Sequence, residues 1–243
     1  MTRPTGYDGR VSVRIGGRPA SLLVGLATAV LIVTAAIAPL LTPPWIAFEQ
    51  GRAEASAWTG WSGSELRSAT DAILADLVIG PPDFDVVVAG EPVLNERERG
   101  HMRDVRSVFV GLWVLAAISV VVIGVGLARH GERRRAWRAV SRAATILAVV
   151  VVGFGVIAIV AFEQLFAAFH RLLFAGGSYT FDPTTERLVQ LFPFAFWQET
   201  AIVAGIVIVV LAVLVAFAAR RRGADIGQAA LAAPRMAATE ARR

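Results

Sequence analysis

Cysteine is absent from all 243 residues. The chain therefore forms no disulfide and offers neither a thiolate nucleophile nor a thiolate metal site. Lysine is absent as well: all 24 basic residues are arginine, which removes Schiff-base chemistry. Histidine occurs three times and tyrosine twice, and only 18% of the residues are charged. Several catalytic signatures are missing too. Gly60-Trp61-Ser62-Gly63-Ser64 does not match the G-x-S-x-G of serine hydrolases, and Ser178 lacks a supporting signature. There is no phosphate-binding loop, no H-E-x-x-H and no zinc-like cluster.

What is abundant is apolar sequence. Hydrophobic residues make up 56% of the chain, and the mean hydropathy is +0.60. Four runs, Ala20–Leu41, Val108–Ala128, Ala143–Phe162 and Ala201–Ala219, approach or exceed the ~20 residues a helix needs to cross a bilayer core. This composition predicts an all-α membrane protein with four transmembrane helices. The first run is longer than a signal-peptide core, and Pro39 would obstruct cleavage after Ala36-Ile37-Ala38, so it is retained as a helix that Pro43-Pro44 ends.

Charge orients the spans. The segment before Ala20, the loop Arg129–Arg142 and the tail after Ala219 are strongly arginine-rich, whereas Ile46–Ser107 holds six arginines against eleven carboxylates and Glu163–Thr200 two against four. The positive-inside rule places both termini and the middle loop in the cytoplasm and the two acidic loops outside. The basic charge is then a topology signal and a contact for membrane lipid, with no nucleic-acid partner. The expected organisation is a cytoplasmic segment over residues 1–19 and a four-helix domain over 20–219. Its helices lie at about 20–41, 105–128, 143–170 and 200–219, under a small extracellular cap built from loops 46–104 and 171–199. Residues 220–243 are expected to be a disordered cytoplasmic tail, from their Ala/Arg-rich composition.

Within the cap, Ser64 opens a stretch in which Leu66, Ala69, Ile73 and Leu77 recur at helical spacing, up to Gly80-Pro81-Pro82. Phe84–Val88 reads as an extended piece, and Gly90 to Pro92 as a turn. The segment Glu163–Trp197 is unusually aromatic and carries His170. His101 lies seven residues before the second run and His170 eight beyond the third, so both reach the outer membrane boundary if their helices continue. His130 lies among arginines on the opposite side. Asp104, three residues after His101, and Glu163, seven before His170, share roughly the faces of the histidines and are candidate orienting groups. Asp104 is otherwise a dipole partner for its helix, and Glu163 an interfacial carboxylate.

The aromatic segment is either an interfacial belt with an incidental histidine or a wall around a reacting group. A metal held by His101, His170 and Asp104, or a haem between the two histidines, would rest on scattered ligands at the membrane edge; neither metal nor cofactor is expected. Acid–base catalysis by a histidine pair on a substrate that brings its own nucleophile fits these residues, and a purely structural role for the pair fits them equally. The cores of the spans lack charged residues, which disfavours a transporter.

Two blocks carry a resemblance. Asn95-Glu-Arg-Glu-Arg-Gly-His101-Met-Arg-Asp-Val105 resembles the N-E-R-E-x-x-H-M-x-D-V element of the lipoprotein intramolecular transacylases, a family of four-span bacterial membrane proteins. Phe169-His170-Arg-Leu-Leu-Phe174, Tyr179-Thr-Phe181-Asp-Pro183 and Leu191-Phe-Pro193 through Trp197 resemble that family's F-H-x-x-F, W-x-F-D-P and L-x-P-x-x-F-F elements in the same order. The resemblance spans roughly Ala20 to Ala219. It implies that His101 and His170 are catalytic, at the interface of cap and bundle, on the outer face of a bacterial plasma membrane. It implies a reaction moving the sn-2 acyl chain of a diacylglyceryl lipoprotein to the α-amine of its N-terminal cysteine, without a cofactor. Phe166, Phe169, Phe174, Tyr179, Phe181, Phe192 and Trp197 are then the substrate-pocket aromatics. Tyr179 replaces the family's usual tryptophan and Trp197 a usual phenylalanine, so aromatic character is kept in both places. The alternative is a non-catalytic four-span member serving as an assembly or interaction partner.

Overall fold

The computed structural model describes residues 18–174 and 179–240. The expected cytoplasmic segment before Arg18 and the Gly176-Gly177 helix break lie outside the described residues. Four helices are long and apolar enough to span a membrane, over Pro19–Leu41, Glu96–Ala128, His130–Ala158 and Phe194–Gln228. The fold is that of the all-α membrane protein expected.

Helix α1 (Arg18–Ile37) continues as a 3-10 turn over Ala38–Leu41. Pro43-Pro44 then does more than terminate the span. Proline lacks the N–H that the first turn of a helix leaves unpaired, and its fixed φ suits that position, so the pair opens α2 (Pro43–Arg52). After the short α3 (Ala55–Thr59) comes α4 (Gly63–Val78), whose start is set one residue earlier than Ser64 by a capping box. Ser62 Oγ accepts the Glu65 N–H, and the Glu65 carboxylate accepts the Ser62 N–H. The predicted apolar stripe is the buried one: Leu66, Ala69, Ile73 and Leu77 all face the cap core.

A two-strand hairpin follows, β1 (Val87–Val88) paired antiparallel with β2 (Glu91–Pro92). The turn is Ala89-Gly90, both at positive φ (53° and 85°), a geometry that matches the twist of a two-residue hairpin. Pro92, expected in the turn, is instead a strand residue. Phe84 also has φ 54°, a strained value for a phenylalanine, held by complete burial of its ring.

Helix α5 (Glu96–Ala128) begins nine residues earlier than the expected second span, with Asn95 and Glu98 forming another capping box. Helix α6 (Arg133–Leu173) is broken at Ala161 (φ −132°, ψ 30°), so the expected continuous third helix is two pieces, the second carrying His170. The short α7 (Arg187–Leu191) leads into α8 (Phe194–Glu240). Residues after Ala219 thus continue the last span as helix to Glu240, where a disordered tail was expected. Alanine and arginine are strong helix formers, and an existing helix elongates without a new nucleation cost.

In the bundle, α1 packs on α5 and α6, and α6 on α8. The buried residues at these contacts are mostly small: Ala36, Ala144, Ala212, Ala216 and Ala219, with Val24, Ile32, Val140 and Ile208. Small side chains let helices approach closely where lipid provides no hydrophobic drive. Ser141 adds an interhelical bond to the Ala216 carbonyl at 3.2 Å. Bulky residues such as Val114, Ile118, Val149, Phe154 and Val213 point outward, as a lipid-facing surface requires. The cap has its own core of Ile46, Leu66, Ile73, Leu77, Phe84, Leu94, Met102, Leu191 and Phe196.

Candidate active site

Both histidines expected to be catalytic sit where a spanning helix meets the cap. His101 is in the second turn of α5 and His170 in the last turn of α6. They are 69 positions apart in the chain, yet both are buried, 6% and 9% exposed, and their rings lie nearly parallel at 6.0 Å between centroids (24° interplanar). With 6.0 Å between ring centres, the two imidazoles belong to one site.

The two imidazoles are held differently. His170 Nδ1 is 2.8 Å from the Phe166 carbonyl oxygen. A carbonyl only accepts, so Nδ1 carries the hydrogen and donates it, leaving Nε2 as the nitrogen free to take a proton. His101 Nδ1 is buried with no hydrogen-bond partner among the described residues. An unsatisfied buried polar atom costs about 1–3 kcal/mol and is characteristic of sites that gain a partner on binding.

Aromatic rings enclose the pair. Phe174 and Phe181 present edges to His101 at 4.8 and 5.4 Å. Phe166, Phe169, Phe174 and Tyr179 surround His170 at 4.1, 5.4, 5.5 and 5.3 Å. Phe192 and Trp197, the other two predicted pocket aromatics, are not among the rings against the histidines. Trp197 stands 6.2 Å behind Phe166, and Phe192 packs on Trp197 and Phe196 at 6.1 and 5.2 Å. They back the wall.

The carboxylates expected to orient the histidines make no direct bond to them. Asp104 and Glu163 are both exposed, and neither is hydrogen-bonded to a histidine among the described residues. Glu163 shares a face with His170 but is two turns away, roughly 10 Å along the axis, beyond a carboxylate's reach. Asp104 is rotated about 60° from His101 around α5, enough to point it to solvent while the histidine faces inward.

Other charged residues position the site. Glu98, 1% exposed, accepts the Leu188 N–H on one carboxylate oxygen and the Asn95 N–H on the other, both at 2.7 Å. One side chain thus ties the start of α7 to the start of the helix bearing His101. Glu186 is also buried and receives Arg97 at 2.5 Å, the Asp182 N–H at 2.6 Å and Asn95 Nδ2 at 3.3 Å. Burial works against its charge, but Arg97 and these donors hold its carboxyl below the usual carboxylate range. Asp182 closes its own turn by accepting Thr184 N–H and Oγ1 at 2.9 and 2.7 Å. Arg97 in turn lies 5.1 Å over the Phe181 ring that abuts His101. Sequence reasoning gave these residues no role. Asn95 and Glu98 carry the spacing of a capping box and were detectable; the reach of Glu98 to Leu188 and of Arg97 to Glu186, about ninety residues away, has no local signal.

The donor set at the centre is two imidazoles among rings, and among the described residues no three His, Asp or Glu gather as metal ligands. Such a centre can move a proton at one nitrogen and donate a hydrogen bond at another, while its walls exclude water.

The family model of the lipoprotein intramolecular transacylase Lit matches residues 21–197. No curated protein matches the chain by sequence. Among solved structures, the membrane-integral lipoprotein intramolecular transacylase Lit from Bacillus cereus is similar at a TM-score of 0.72 and 18% identity, over 87% of this chain and 97% of that one. Two structures of variants of the same Bacillus cereus protein also match. The one with a histidine replaced by arginine has TM-score 0.69 and 17% identity, over 88% of this chain and 94% of that one. The one with a histidine replaced by alanine has TM-score 0.67 and 18% identity, over 84% and 92%. With the family model covering most of the residues from the first span to the start of the fourth, the chain is a four-span membrane enzyme belonging to the lipoprotein intramolecular transacylase family.

Proposed function

We propose that the protein moves the sn-2 acyl chain of a diacylglyceryl lipoprotein to the α-amine of that lipoprotein's N-terminal cysteine, leaving a lyso-form lipoprotein. The observation that carries this reading is the buried histidine pair, 6.0 Å apart, inside an aromatic wall at one end of the bundle. The substrate supplies both nucleophile and acyl group, so the site needs neither a serine nor a thiolate, and no cofactor enters the reaction.

His170 is the general base. Its Nδ1–H is occupied by the Phe166 carbonyl, which leaves Nε2 to accept the proton of the attacking amine. The amine nitrogen bonds to the ester carbonyl carbon, and the oxygen of the resulting tetrahedral intermediate accepts a hydrogen bond from the His101 ring. Loss of one such donor typically costs about 3–4 kcal/mol of transition-state stabilisation. On collapse, the C–O bond to the glyceryl oxygen breaks and the proton on His170 passes to that oxygen, so the step is proton-neutral. The rings of Phe166, Phe169, Phe174, Tyr179 and Phe181 keep bulk water from competing with the amine and hold the glyceryl group in a reactive pose. On the arginine asymmetry, both termini lie in the cytoplasm and the site faces outward across a bacterial plasma membrane.

Mass spectrometry of a reporter lipoprotein's N-terminal peptide, in a host lacking this conversion, tests the proposal. The expected product carries one chain on the amine and one on the glyceryl group. A diacylglyceryl cysteine with a free amine, in cells where the protein is inserted, overturns it. His101→Ala and His170→Ala are each expected to abolish conversion at unchanged membrane yield.

A further inference from the structure

At the end of the bundle opposite the histidines, a cavity of about 500 Å³ lies between α6 and α8. It is about 40 Å along α6 from His170 and independent of the proposed reaction. Arg134, Arg138 and Arg142 line it from α6 and Arg220 from α8, with Trp137 and Ile146 completing the wall. Arg220 is aimed along α6 by neutral groups only: its Nε donates to Ser141 Oγ at 3.2 Å and its Nη2 to Thr145 Oγ1 at 3.0 Å. Among the described residues, every ion pair within 4 Å is on the cap side of the molecule, and none includes these four arginines. The indole N–H of Trp137 is buried without an acceptor among the described residues.

The helical continuation of α8 makes the cavity. Gly223 and Gly227 face α6 four residues apart. A Cβ added at the first would lie 3.6 Å from Trp137 Cβ, and one at the second 3.1–3.2 Å from the Arg134 guanidinium. Small residues at this spacing seat the helix extension on α6. The cavity also grades into the lipid-facing surface, where Ile146, Val149 and Val150 are exposed and the Arg221 guanidinium lies 4.2 Å over Phe217. Guanidinium groups without an ion-pair partner among the described residues and a neighbouring apolar surface together match a phosphodiester joined to acyl chains.

We infer that this cavity binds the phosphate headgroup of an anionic phospholipid in the adjacent leaflet, which is the cytoplasmic one on the proposed topology. A free phosphate would use the same guanidinium groups but gain nothing from the apolar flank, and this distinguishes the two sources.

Native mass spectrometry of the full-length protein in detergent, titrated with phosphatidylglycerol, phosphatidylcholine or inorganic phosphate, tests the inference. Phosphatidylglycerol is expected to be retained about tenfold better than phosphatidylcholine, and inorganic phosphate to compete only weakly. The paired change Arg142→Gln with Arg220→Gln is expected to erase that preference, and Arg138→Gln alone to weaken it a few-fold. Arg133→Gln, outside the cavity lining, should leave it intact. Equal retention of the two lipids by the unaltered protein overturns the site, and so does a loss in Arg133→Gln as large as in the paired change. Inorganic phosphate binding as tightly as phosphatidylglycerol overturns the lipid assignment. Should the paired change prevent folding, the selectivity of the unaltered protein and the Arg138→Gln comparison decide.

Discussion

At the residue scale, the pair is asymmetric, and the asymmetry is testable. His170 donates Nδ1–H to the Phe166 carbonyl, which leaves Nε2 for the base role proposed above. An asparagine there can place an amide near the Nδ1 position, while a glutamine reaches toward the Nε2 position. Neither titrates near neutrality, so His170→Asn and His170→Gln are both expected to lower the initial rate of conversion by at least about 100-fold, the usual scale for losing a general base. A variant that converts lipoprotein at near-normal rate would remove His170 from the base role. The histidines themselves were visible in the sequence because so few titratable groups sit beside the apolar runs. The orienting residues were not. Asp104 and Glu163 met a helical-periodicity criterion, but periodicity speaks of faces and is silent about reach or partners contributed by a distant loop.

At the element scale, the start of α5 is where the cap is fastened to the site. The Glu98 carboxylate is the acceptor for two backbone N–H groups, a half-buried one on its own helix cap and a buried one at the start of α7. Glu98→Ala strands both, and the expected loss is roughly 2–3 kcal/mol of stability, read as a lower unfolding midpoint in detergent, with reduced conversion. Glu186 makes the neighbouring loop pH-dependent. Its carboxyl is held below the usual carboxylate range, so the folded state favours the charged form. The stability this contributes is fully present above the pKa of an ordinary glutamate and is lost as pH falls through the lower folded value. The protection factor of the Asp182 amide, whose N–H rests on Glu186, is therefore expected to fall in acid and to lose that dependence in Glu186→Gln. The starts of α4 and α5 are set by capping boxes at Ser62 and Asn95 that a reading of apolar spacing passes over; the short α2, α3 and α7, shaped by contacts within the cap, carry too few residues for a periodic signal.

At the scale of the whole molecule, the number of spans was legible because a bilayer demands some twenty apolar residues whatever the helix packs on. Their packing was not. Lipid-facing and helix-facing positions are both apolar, and only the contacts show that Ala144 and Ala212 are interior while Val149 and Val213 are not. The orientation of the bundle is accessible to a simple experiment, since the chain has no cysteine and hence no labelling background. A single cysteine at Glu91 is expected to react with an impermeant maleimide in intact cells, and one at Arg133 only after lysis; the reverse pattern would invert the topology. A last consequence comes from the break at Ala161. His101 rides on an unbroken helix of 33 residues, whereas His170 follows the interruption, on a segment whose Phe162 and Phe166 pack on Phe194 at the head of α8. Tilting or stretching of the long part of α6 to suit a thicker or thinner bilayer can be absorbed at that joint, so the spacing of the two imidazoles is insulated from hydrophobic mismatch. Conversion in vesicles of short-chain and long-chain phosphatidylcholine should accordingly proceed at similar rates, and a steep dependence on chain length would mean that the joint transmits the strain.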